Sequence, residues 1–516
     1  MIKTFALTNF KVFGSQQRFD LAPITLIYGP NSGGKSSIIQ ALLLLKQSVQ
    51  APINQGLRDR VLIPKGLYVD LGQSKSIHHK HLFENSISLE VGFKFSAQAA
   101  SRIYRPILLE NDEFYTSLRF EHREDSIRAK LPAVAEIRYK IISKLRTTLS
   151  MSLVKDIKPT RKITGDELDL EDANELRNTI NFFKFHSLSD MRAFSSFLNE
   201  LPPTRGEEIQ RDYFELDDFP DKEKNRFQVG FRPSISGKTT YLPTTVRNLS
   251  QTDGRRTESH LGILDGPSQV LSQIAREFNL QFEAMSYLGP LRSRPRRLYE
   301  LSQQYQGSIG SSGEYAVEAL KTDMSMESSD DHSVIDFVNK WLETFEIPYT
   351  VAIDEIGNEV LGDLAMLKLC DKRTGLWVAA TDVGFGIGQL LPVIIEGALA
   401  VRSNNANRRE KAICIEQPEI HLHPRLQANV ADFLIETART SSCQWIIETH
   451  SEALMLRIQK RIREGTLAAE SVSVVFVEPT GENGSRIINL RLDNNGNFID
   501  EWPGGFFEEN FSEMFF

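Results

Sequence analysis

Residues Gly29 to Ser37, GPNSGGKSS, have the types and spacing of a phosphate-binding loop. An apolar run, TLIYG, leads into the loop, and a helical pattern, SSIIQALLLLKQSV, follows it. Glycines let backbone N–H groups turn toward phosphates, and the N-terminus of the following helix favours negative charge. In such a loop Lys35 reaches the β- and γ-phosphates and the Ser36 hydroxyl binds Mg²⁺. We assign phosphate contacts to Asn31, Gly33, Gly34, Lys35, Ser36 and Ser37.

Two apolar runs late in the chain end in residues that could complete a nucleotide site. The run AICI is followed directly by Glu416. The run WII is followed by the triplet Glu-Thr-His, whose last residue is His450. Both runs have the length and composition of buried central strands. The first resembles the Walker B strand of ABC ATPases, which implies that Glu416 organises Mg²⁺. The second resembles the strand before the switch histidine, which implies that His450 contacts the γ-phosphate or the attacking water.

The residue after Glu416 departs from the ABC pattern. ABC ATPases usually have a glutamate there that polarises water, and this chain has Gln417. An amide can orient a water molecule but cannot accept its proton. Two interpretations remain: Glu419 acts as the base, or hydrolysis is slow and the protein is a clamp held shut by ATP.

A glycine-rich segment, TDVGFGIGQ, precedes the Walker B run and resembles the ABC signature motif. A glycine-rich turn before a helix can bind phosphate through backbone N–H groups, here at Gly386, Gly388 and Gln389. Gly388 stands at the position of the signature serine, so that hydroxyl is missing or supplied elsewhere. In the family this motif closes over the nucleotide of the other subunit, and HLHP (421–424) matches the D-loop. The resemblance therefore implies an ATP-dependent homodimer.

The N-terminal sequence resembles the SMC/RecF-like branch of the ABC ATPases, where a triplet such as NFK precedes the phosphate loop. That resemblance implies that Lys11 lies near the nucleotide; a solvated surface lysine is the alternative. Gln73 could be the Q-loop glutamine that meets Mg²⁺. The nearby His78, His79 and His81 lack cysteine or carboxylate partners at suitable spacing and indicate a solvated turn rather than a metal site.

Composition limits the class of protein. The chain has 516 residues, a net charge of −8 and three cysteines, which are widely separated without CxxC spacing. This pattern favours a reducing compartment and excludes a disulfide framework. No apolar run approaches the roughly 20 residues needed to span a bilayer. We expect a cytoplasmic protein without a membrane partner, in which any nucleic-acid contact is made by local patches.

Two basic segments are candidates for such contacts. Residues 137–162 carry apolar residues at helical spacing and predict a basic amphipathic helix, within a mainly helical insertion over 96–281. A packed helix with one solvated face is the alternative. The second segment, 292–297, clusters Arg292, Arg294, Arg296 and Arg297. Clustered arginines bind phosphates of nucleotide or nucleic acid, or form salt bridges at a subunit interface.

The segments YLGPLR, GFGIGQLLP, IEQPEIHLHP, ETHSE and WPGGFF together resemble the OLD-like ABC ATPases of antiphage defence, and among these the Septu-type ATPase subunit (PtuA-like), including retron-associated versions. This implies an α/β ABC-type head with a mixed central sheet and an antiparallel lobe. We expect boundaries at 1–95 and 282–460 for the head, 96–281 for the insertion, and 461–516 for a small β-rich C-terminal cap.

Neither a Toprim aspartate pair nor an HNH-like cluster follows the ATPase motifs, so we expect no nuclease site on this chain. The resemblance then implies an ATPase that binds ATP and Mg²⁺, dimerises, and gates a separate nuclease or other effector. The alternatives are a DNA-repair ATPase, a non-hydrolysing scaffold, and a transporter's nucleotide-binding subunit, against which the basic insertion and the EQPE variant argue.

Overall fold

The computed structural model describes most of the two ends of the chain and parts of its middle. The described residues are 1–50, 61–94, 112–122, 131–142, 148–155, 182–185, 189–190, 193, 227–230, 245–248, 278–301, 308–325, 333–357, 362–407, 411–441, 443–481 and 484–503.

Three sheets and a set of helices make up the described fold. The strands are β1 Ile2–Thr8, β2 Gln17–Asp20, β3 Ile24–Tyr28, β4 Ile87–Lys94, β5 Glu113–Glu121, β6 Ala133–Ile142, β7 Leu149–Lys155, β8 Phe182–Phe185, β9 Phe227–Gly230, β10 Thr245–Asn248, β11 Ser286–Leu288, β12 Tyr299–Glu300, β13 Tyr349–Glu355, β14 Leu364–Asp371, β15 Trp377–Ala379, β16 Ala412–Glu416, β17 Gln444–Glu448, β18 Val472–Pro479 and β19 Ser485–Leu490. The α-helices are α1 Lys35–Gln50, α2 Ala316–Ser325, α3 Val334–Thr344, α4 Phe385–Asn407, α5 Pro424–Ser441 and α6 Glu452–Arg463.

The central sheet has six strands in the order β11-β16-β17-β3-β18-β19 and is parallel except for β19. Strands β3, β16 and β17 are buried at every position, as expected for parallel strands covered on both faces. Alternate residues serve two cores: Ile27 packs in the core that contains α1, and Leu26 in the core that contains α4 and α5. The carboxyl ends of β3, β16 and β17 therefore meet at one edge, beside the start of α1.

The second sheet is antiparallel, with nine strands in the order β10-β9-β8-β7-β6-β5-β4-β1-β2. Strand β4 pairs with both β1 and β5, so the sheet runs from the N-terminal segment into residues assigned to the insertion. Together the two sheets confirm the predicted α/β head with a mixed central sheet and an antiparallel lobe. The third sheet consists of β12, β13, β14 and β15, and packs with α2 and α3.

The predicted basic helix over 137–162 is wrong where the structure describes it. Residues 133–142 and 149–155 are the paired strands β6 and β7. Within the described part of 96–281, 38 residues lie in strands and seven in α-helix, so the prediction of a mainly helical insertion fails there as well. The error arises because apolar residues four positions apart lie on one face of a helix and also on one face of a strand, so this spacing fits both structures. Tyr139 is buried between Ile137 and Ile141, whereas Arg138 and Lys140 are exposed, and this alternation identifies a strand. The rest of 137–162 lies outside the described residues.

The C-terminal segment is not a separate cap in its described part. Strand β18 pairs in parallel with β3 in the central sheet, and α6 crosses the predicted boundary at 460/461. The Asn495–Gly496 pair, a dipeptide typical of tight turns, lies in a turn here: Gly496 has φ +76°, and Asp493 N donates to Asn497 O at 2.9 Å. Among the described helices none is long and apolar enough to cross a bilayer.

Candidate nucleotide-binding site

The phosphate-type loop connects β3 to α1, as its sequence predicts. Gly29 has φ +144° and Gly34 has φ +109°, and both glycines are closely approached by other parts of the chain. A β-carbon at Gly29 would lie 2.4 Å from Val477 O, and one at Gly34 would lie 2.3 Å from Val12 Cγ2. Only glycine fits these two positions, so the loop conformation is fixed both by its own backbone and by β18 and the Val12 segment.

Lys35 lies inside this loop and is 4% exposed. Its Nζ donates to Gly29 O at 3.0 Å and to Pro30 O at 2.9 Å. Burial lowers the pKa of this ammonium group, while the nearby Glu448 and Glu419 raise it. The lysine therefore has two neutral carbonyl partners and no hydrogen-bonded anion among the described residues, which leaves its charge available to a phosphate.

Two carboxylates end neighbouring strands beside the loop. Glu416 and Glu448 are register partners at the ends of β16 and β17, and adjacent strands lie about 4.8 Å apart. Burial, followed by the charge of Glu448, raises the pKa of Glu416 to about 7. Burial also raises the pKa of Glu448, while the neighbouring Ser36 side chain and the Lys35 charge lower it. The predicted metal residues Ser36 and Glu416 thus lie at one edge, with Glu448 adjoining both.

Tyr287 and Arg292 hold the end of the Glu416 strand. Tyr287 Oη donates to Glu416 Oε1 at 2.9 Å. Arg292 Nη2 donates to Glu416 O and Nη1 to Gln417 O, each at 2.8 Å. Arg292 is 5% exposed, and burial lowers the pKa of its guanidinium to about 10. The prediction that Arg292 belongs to a surface patch for nucleic acid or a subunit interface is therefore wrong, because the side chain is buried and both of its Nη groups donate inside the site.

The turn after Glu416 brings the remaining predicted catalytic residues together. Gln417 has φ +47°, and its N–H donates to Glu448 O at 2.7 Å. Glu419 Oε1 accepts from His450 N at 2.7 Å, while Oε2 has no hydrogen-bond partner among the described residues. Burial raises the pKa of Glu419. Burial, followed by the Lys35 charge, lowers the pKa of half-buried His450, which favours a neutral imidazole.

Lys11 is also near this edge, whereas no hydrogen bond among the described residues joins Gln73 to it. Lys11 has φ +50°, and its Nζ donates to Gln40 Oε1 on α1 at 2.5 Å. Burial lowers the pKa of this ammonium group, while the nearby charge of Glu416 raises it. Gln73 is exposed, and within the described ranges it makes no hydrogen bond to Ser36 or Glu416. The described contacts therefore support the predicted place of Lys11 and give no support to a Q-loop role for Gln73.

The predicted solvated turn is present only in part: His81 is exposed and His79 is partly buried, whereas His78 is buried. His78 is 1% exposed, and its Nε2 lies 3.1 Å from Nε2 of His122, while His79 Nδ1 bonds to Lys11 O at 2.8 Å. No group of three or more histidine, cysteine, aspartate or glutamate side chains suited to a metal occurs in the described part of the chain. The His79 imidazole instead supports the segment that carries Lys11, through its hydrogen bond to the Lys11 backbone oxygen.

The predicted signature residues lie within the first turn of α4, which begins at Phe385, rather than in a loop before the helix. A β-carbon at Gly386 would lie 3.0 Å from His421 O, so this turn contacts the D-loop. A β-carbon at Gly388 would lie 2.9 Å from Pro295 Cγ. Gln389 is 2% exposed, and its Nε2 has no partner among the described residues. These residues are thus grouped with the D-loop, and no hydrogen bond between described residues joins them to the phosphate loop of the same chain.

Sequence reasoning missed Glu448 and Tyr287. Glu448 is the first residue of the ETH triplet, and a carboxylate at the end of a wholly apolar run beside a second such run was a usable signal. Tyr287 lies in the short strand SYL, and nothing in its local pattern indicates a contact with Glu416, because β11 is distant from β16 in sequence.

Comparisons with known proteins agree with this arrangement of motifs. The family model described as AAA ATPase domain matches residues 1–455, and a second, described as a protein of unknown function (DUF3696), matches residues 467–515. No curated protein matches the chain.

Three SMC heads are among the solved structures that match the chain. A head bound to the C-winged-helix domain of ScpA has 10% identity and a TM-score of 0.38, covering 96% of this chain and 98% of that one. The SMC head domain from Thermotoga maritima has 10% identity and a TM-score of 0.36, with 95% and 99% covered. A head with an extended coiled coil, bound to the C-terminal domain of ScpA derived from Pyrococcus furiosus, has 12% identity and a TM-score of 0.37, with 95% and 96% covered.

The AAA ATPase domain model matches 455 of 516 residues and includes both the phosphate loop and the carboxylate edge. The chain therefore belongs to the AAA ATPase domain family and is an ATPase of that type.

Proposed function

We propose that the chain hydrolyses Mg²⁺-ATP within a homodimer and uses the bound state to gate a separate effector, a nuclease, in an antiphage defence complex of the Septu type. The ATPase part follows from the family and the site geometry. The defence role follows from the resemblance of the YLGPLR, IEQPEIHLHP, ETHSE and WPGGFF segments to OLD-like ATPases.

The observation that carries the ATPase part is the grouping of Lys35, Ser36 and the strand-end carboxylates. Lys35 is available to the β- and γ-phosphates, and the backbone of the loop and the start of α1 can bind the rest of the triphosphate. Ser36 and Glu416 are the residues that would hold Mg²⁺, which supplies a positive charge that stabilises the phosphoryl group. The buried Glu448 Oε2, without a partner among the described residues, fits a cation at this edge.

Glu419 is the better candidate for the proton acceptor, because Gln417 cannot accept a proton. It is 7% exposed, its raised pKa suits a general base, and its Oε2 is free of described partners. Its other oxygen is fixed by the His450 N–H, which orients the carboxyl group. We assign Glu419 as base and Gln417 as the residue that orients water.

The homodimer is supported by the position of the signature turn. A β-carbon at Gly386 would lie 3.0 Å from the backbone oxygen of the D-loop residue His421, and in the ABC ATPases that the sequence resembles this surface closes over the nucleotide of the other subunit. The surface also includes an open groove lined by Phe345, Glu346, Ile387, His423 and Arg425. Arg425 is exposed and pairs with Glu346 at 2.6 Å, so it lies at the rim of this surface without supporting the core.

Mass photometry tests the dimer. The hydrolysis-impaired Glu419→Gln protein is expected to dimerise with ATP and Mg²⁺ and to remain monomeric without nucleotide. Lys35→Ala should stay monomeric because it does not bind ATP. Arg425→Glu should bind ATP with unchanged affinity and fail to dimerise. A dimer that forms equally with and without ATP would refute nucleotide-controlled association.

Nucleic-acid contact is supported by a smaller set of charges than the sequence indicated. Of the cluster at 292–297, Arg292 is internal and Arg297 pairs with Asp382 at 2.8 Å. Arg294 and Arg296 are exposed and make no ion pair with the described residues. We expect the double variant Arg294→Glu, Arg296→Glu to weaken binding of fluorescein-labelled DNA or RNA at least tenfold in anisotropy titrations. Unchanged binding would exclude Arg294 and Arg296 as a nucleic-acid contact.

A separate nuclease is the effector expected from the resemblance. The purified chain with ATP and Mg²⁺ should leave plasmid and linear DNA intact, and cutting by this chain alone would contradict the proposal. Strong stimulation of ATP turnover by DNA ends would instead favour the DNA-repair alternative. The ATP-held scaffold remains the second candidate function, because Gln417 occupies the position of the usual base.

A further inference from the structure

We propose that Glu448 is a second carboxylate ligand of the Mg²⁺ that accompanies the nucleotide, beside Glu416 and Ser36. The inference rests on the proposed nucleotide site and deepens it. The motif pattern provides only one acidic ligand for the metal, Glu416. The inference adds Glu448, the first residue of the ETH triplet, as a second.

The strand geometry places the two carboxylates together. Glu416 and Glu448 are Cα partners in the parallel pair β16–β17. Residues two positions apart in a strand share a face, so Glu416 lies on the face of Cys414, and Glu448 on the face of Ile446. Both Cys414 and Ile446 pack in the core that contains α1. The two carboxylates therefore project toward the phosphate-loop helix rather than toward opposite faces of the sheet.

Ser36 connects Glu448 to the expected metal position. Its side chain is close enough to the Glu448 carboxyl group to lower the pKa of that group, and the same hydroxyl is the loop's Mg²⁺ ligand. The backbone oxygen of Glu448 is already used, since it accepts from Gln417 N at 2.7 Å. The strand end is thus held in place, and the carboxylate is the part of Glu448 that remains available to the metal.

An unused acceptor at the same residue is the independent observation. Glu448 is 4% exposed, and its Oε2 has no hydrogen-bond partner among the described residues. A buried carboxylate oxygen without a donor is unfavourable, and a hard cation is the partner that such an oxygen prefers. Lys35 is near Glu448, but its described donors go to Gly29 O and Pro30 O.

The alternative is that Glu448 only positions Ser36 and Lys35. The two roles predict different responses to metal removal. A positioning residue supports nucleotide binding with or without Mg²⁺. A metal ligand supports it only with metal, because without a cation its negative charge repels the triphosphate.

The test uses the full chain and two readouts besides turnover. Affinity for a fluorescent ATP analogue is measured in Mg²⁺ and in EDTA, and free Mn²⁺ is titrated by electron paramagnetic resonance in the presence of a non-hydrolysable ATP analogue. Glu448→Gln is compared with wild type and with Glu470→Gln, an exposed glutamate outside the site. We expect Glu448→Gln to weaken Mn²⁺ binding by about 10- to 100-fold, a loss of the size caused by changes around metal ligands. Its affinity for the analogue in EDTA should be unchanged or higher.

Equal losses in Mg²⁺ and EDTA, or an unchanged Mn²⁺ affinity, would overturn the inference and leave the nucleotide site standing. If wild type binds no nucleotide in any condition, the proposed function itself fails and this inference fails with it. If Glu448→Gln does not fold, Glu448→Asp takes its place. A metal-dependent loss then supports ligation, and an equal loss in EDTA contradicts it.

Discussion

The guanidinium group of Arg292 bridges the backbone oxygens of Glu416 and Gln417, with both N–O distances at 2.8 Å. A single side chain from the segment after β11 thus holds the turn between Glu416, the proposed metal ligand, and the proposed catalytic residues that follow it. Because Gln417 has a left-handed backbone conformation, φ +47°, this turn depends on such external support.

Replacing Arg292 by lysine should therefore slow turnover more than it weakens nucleotide binding. A lysine ammonium lacks the planar fork of donors, so one buried carbonyl loses its partner at a cost of about 1–3 kcal/mol in the free energy of unfolding. Steady-state kinetics and urea unfolding measure the two effects. The exposed Arg294→Lys serves as control, and an Arg292→Lys enzyme with wild-type kcat would contradict this role.

Gly34→Ala should abolish nucleotide binding. Its β-carbon would lie 2.3 Å from Val12 Cγ2, and its φ of +109° is unfavourable for any other residue. The matched control is Gly465→Ala, which has φ +69° but no heavy atom within 4 Å of the added carbon. The control should lose some stability and keep its affinity for the ATP analogue. Equal affinities of the two variants would show that the loop tolerates the crowding.

Tyr139→Ala and Lys140→Ala separate the observed strand from the predicted helix at 137–142. Tyr139 is 1% exposed and stacks near Phe114, with ring centroids 6.4 Å apart. Its truncation should cost about 3–5 kcal/mol in unfolding free energy, as for other large buried aromatics. Lys140 is exposed and should change stability by less than about 0.5 kcal/mol. Similar losses of unfolding free energy in the two variants would contradict the assignment of residues 137–142 to a strand.

His78 should make stability depend on pH. Burial, followed by the neighbouring His122, lowers the pKa of His78 to about 4, while in the unfolded chain the pKa is about 6.5. Between these pH values the unfolded chain binds a proton at His78 that the folded chain does not. The contribution of neutral His78 to the free energy of unfolding is therefore fully present above pH 6.5 and is lost as the pH falls toward 4.

Urea unfolding of wild type and His78→Asn between pH 5 and pH 7.5 measures this dependence. The free-energy difference between the two proteins should be largest at pH 7.5 and shrink toward pH 5, because only wild type loses the contribution. A constant difference across this range would exclude His78 as the source.

The parts of the site that depend on short sequence patterns could be predicted. A glycine-rich loop that ends in Lys35 and Ser36, between a strand and a helix, is specific for phosphate binding. The apolar runs before Glu416 and His450 are long enough to identify buried strands. The edge where they meet follows, because parallel strands share the direction of their carboxyl ends.

The parts of the site and fold that depend on the pairing of distant segments could not be predicted from the sequence. In the sequence Arg292 is one of four clustered arginines, and only the pairing of β11 with β16 makes it a buried donor to the Glu416 turn. The residues of β6 show apolar side chains four apart, which fits both periods, and the antiparallel partners β5 and β7 decide between them. The backbone oxygen of Val477, in the C-terminal segment, packs against Gly29. No pattern in the sequence around Gly29 indicates this contact.

The proposed ATPase site is tested most sharply by ATP turnover of wild type beside Lys35→Ala, Gln417→Glu and Glu419→Gln, each with and without DNA. We predict that Lys35→Ala loses both nucleotide binding and turnover, and that Glu419→Gln binds ATP but loses at least about 90% of turnover, since general-base catalysis contributes roughly 10²- to 10⁴-fold. Low wild-type turnover that rises in Gln417→Glu would identify the ATP-held clamp. Turnover or binding that is unchanged in Lys35→Ala would contradict the assignment of this loop and edge as a nucleotide site.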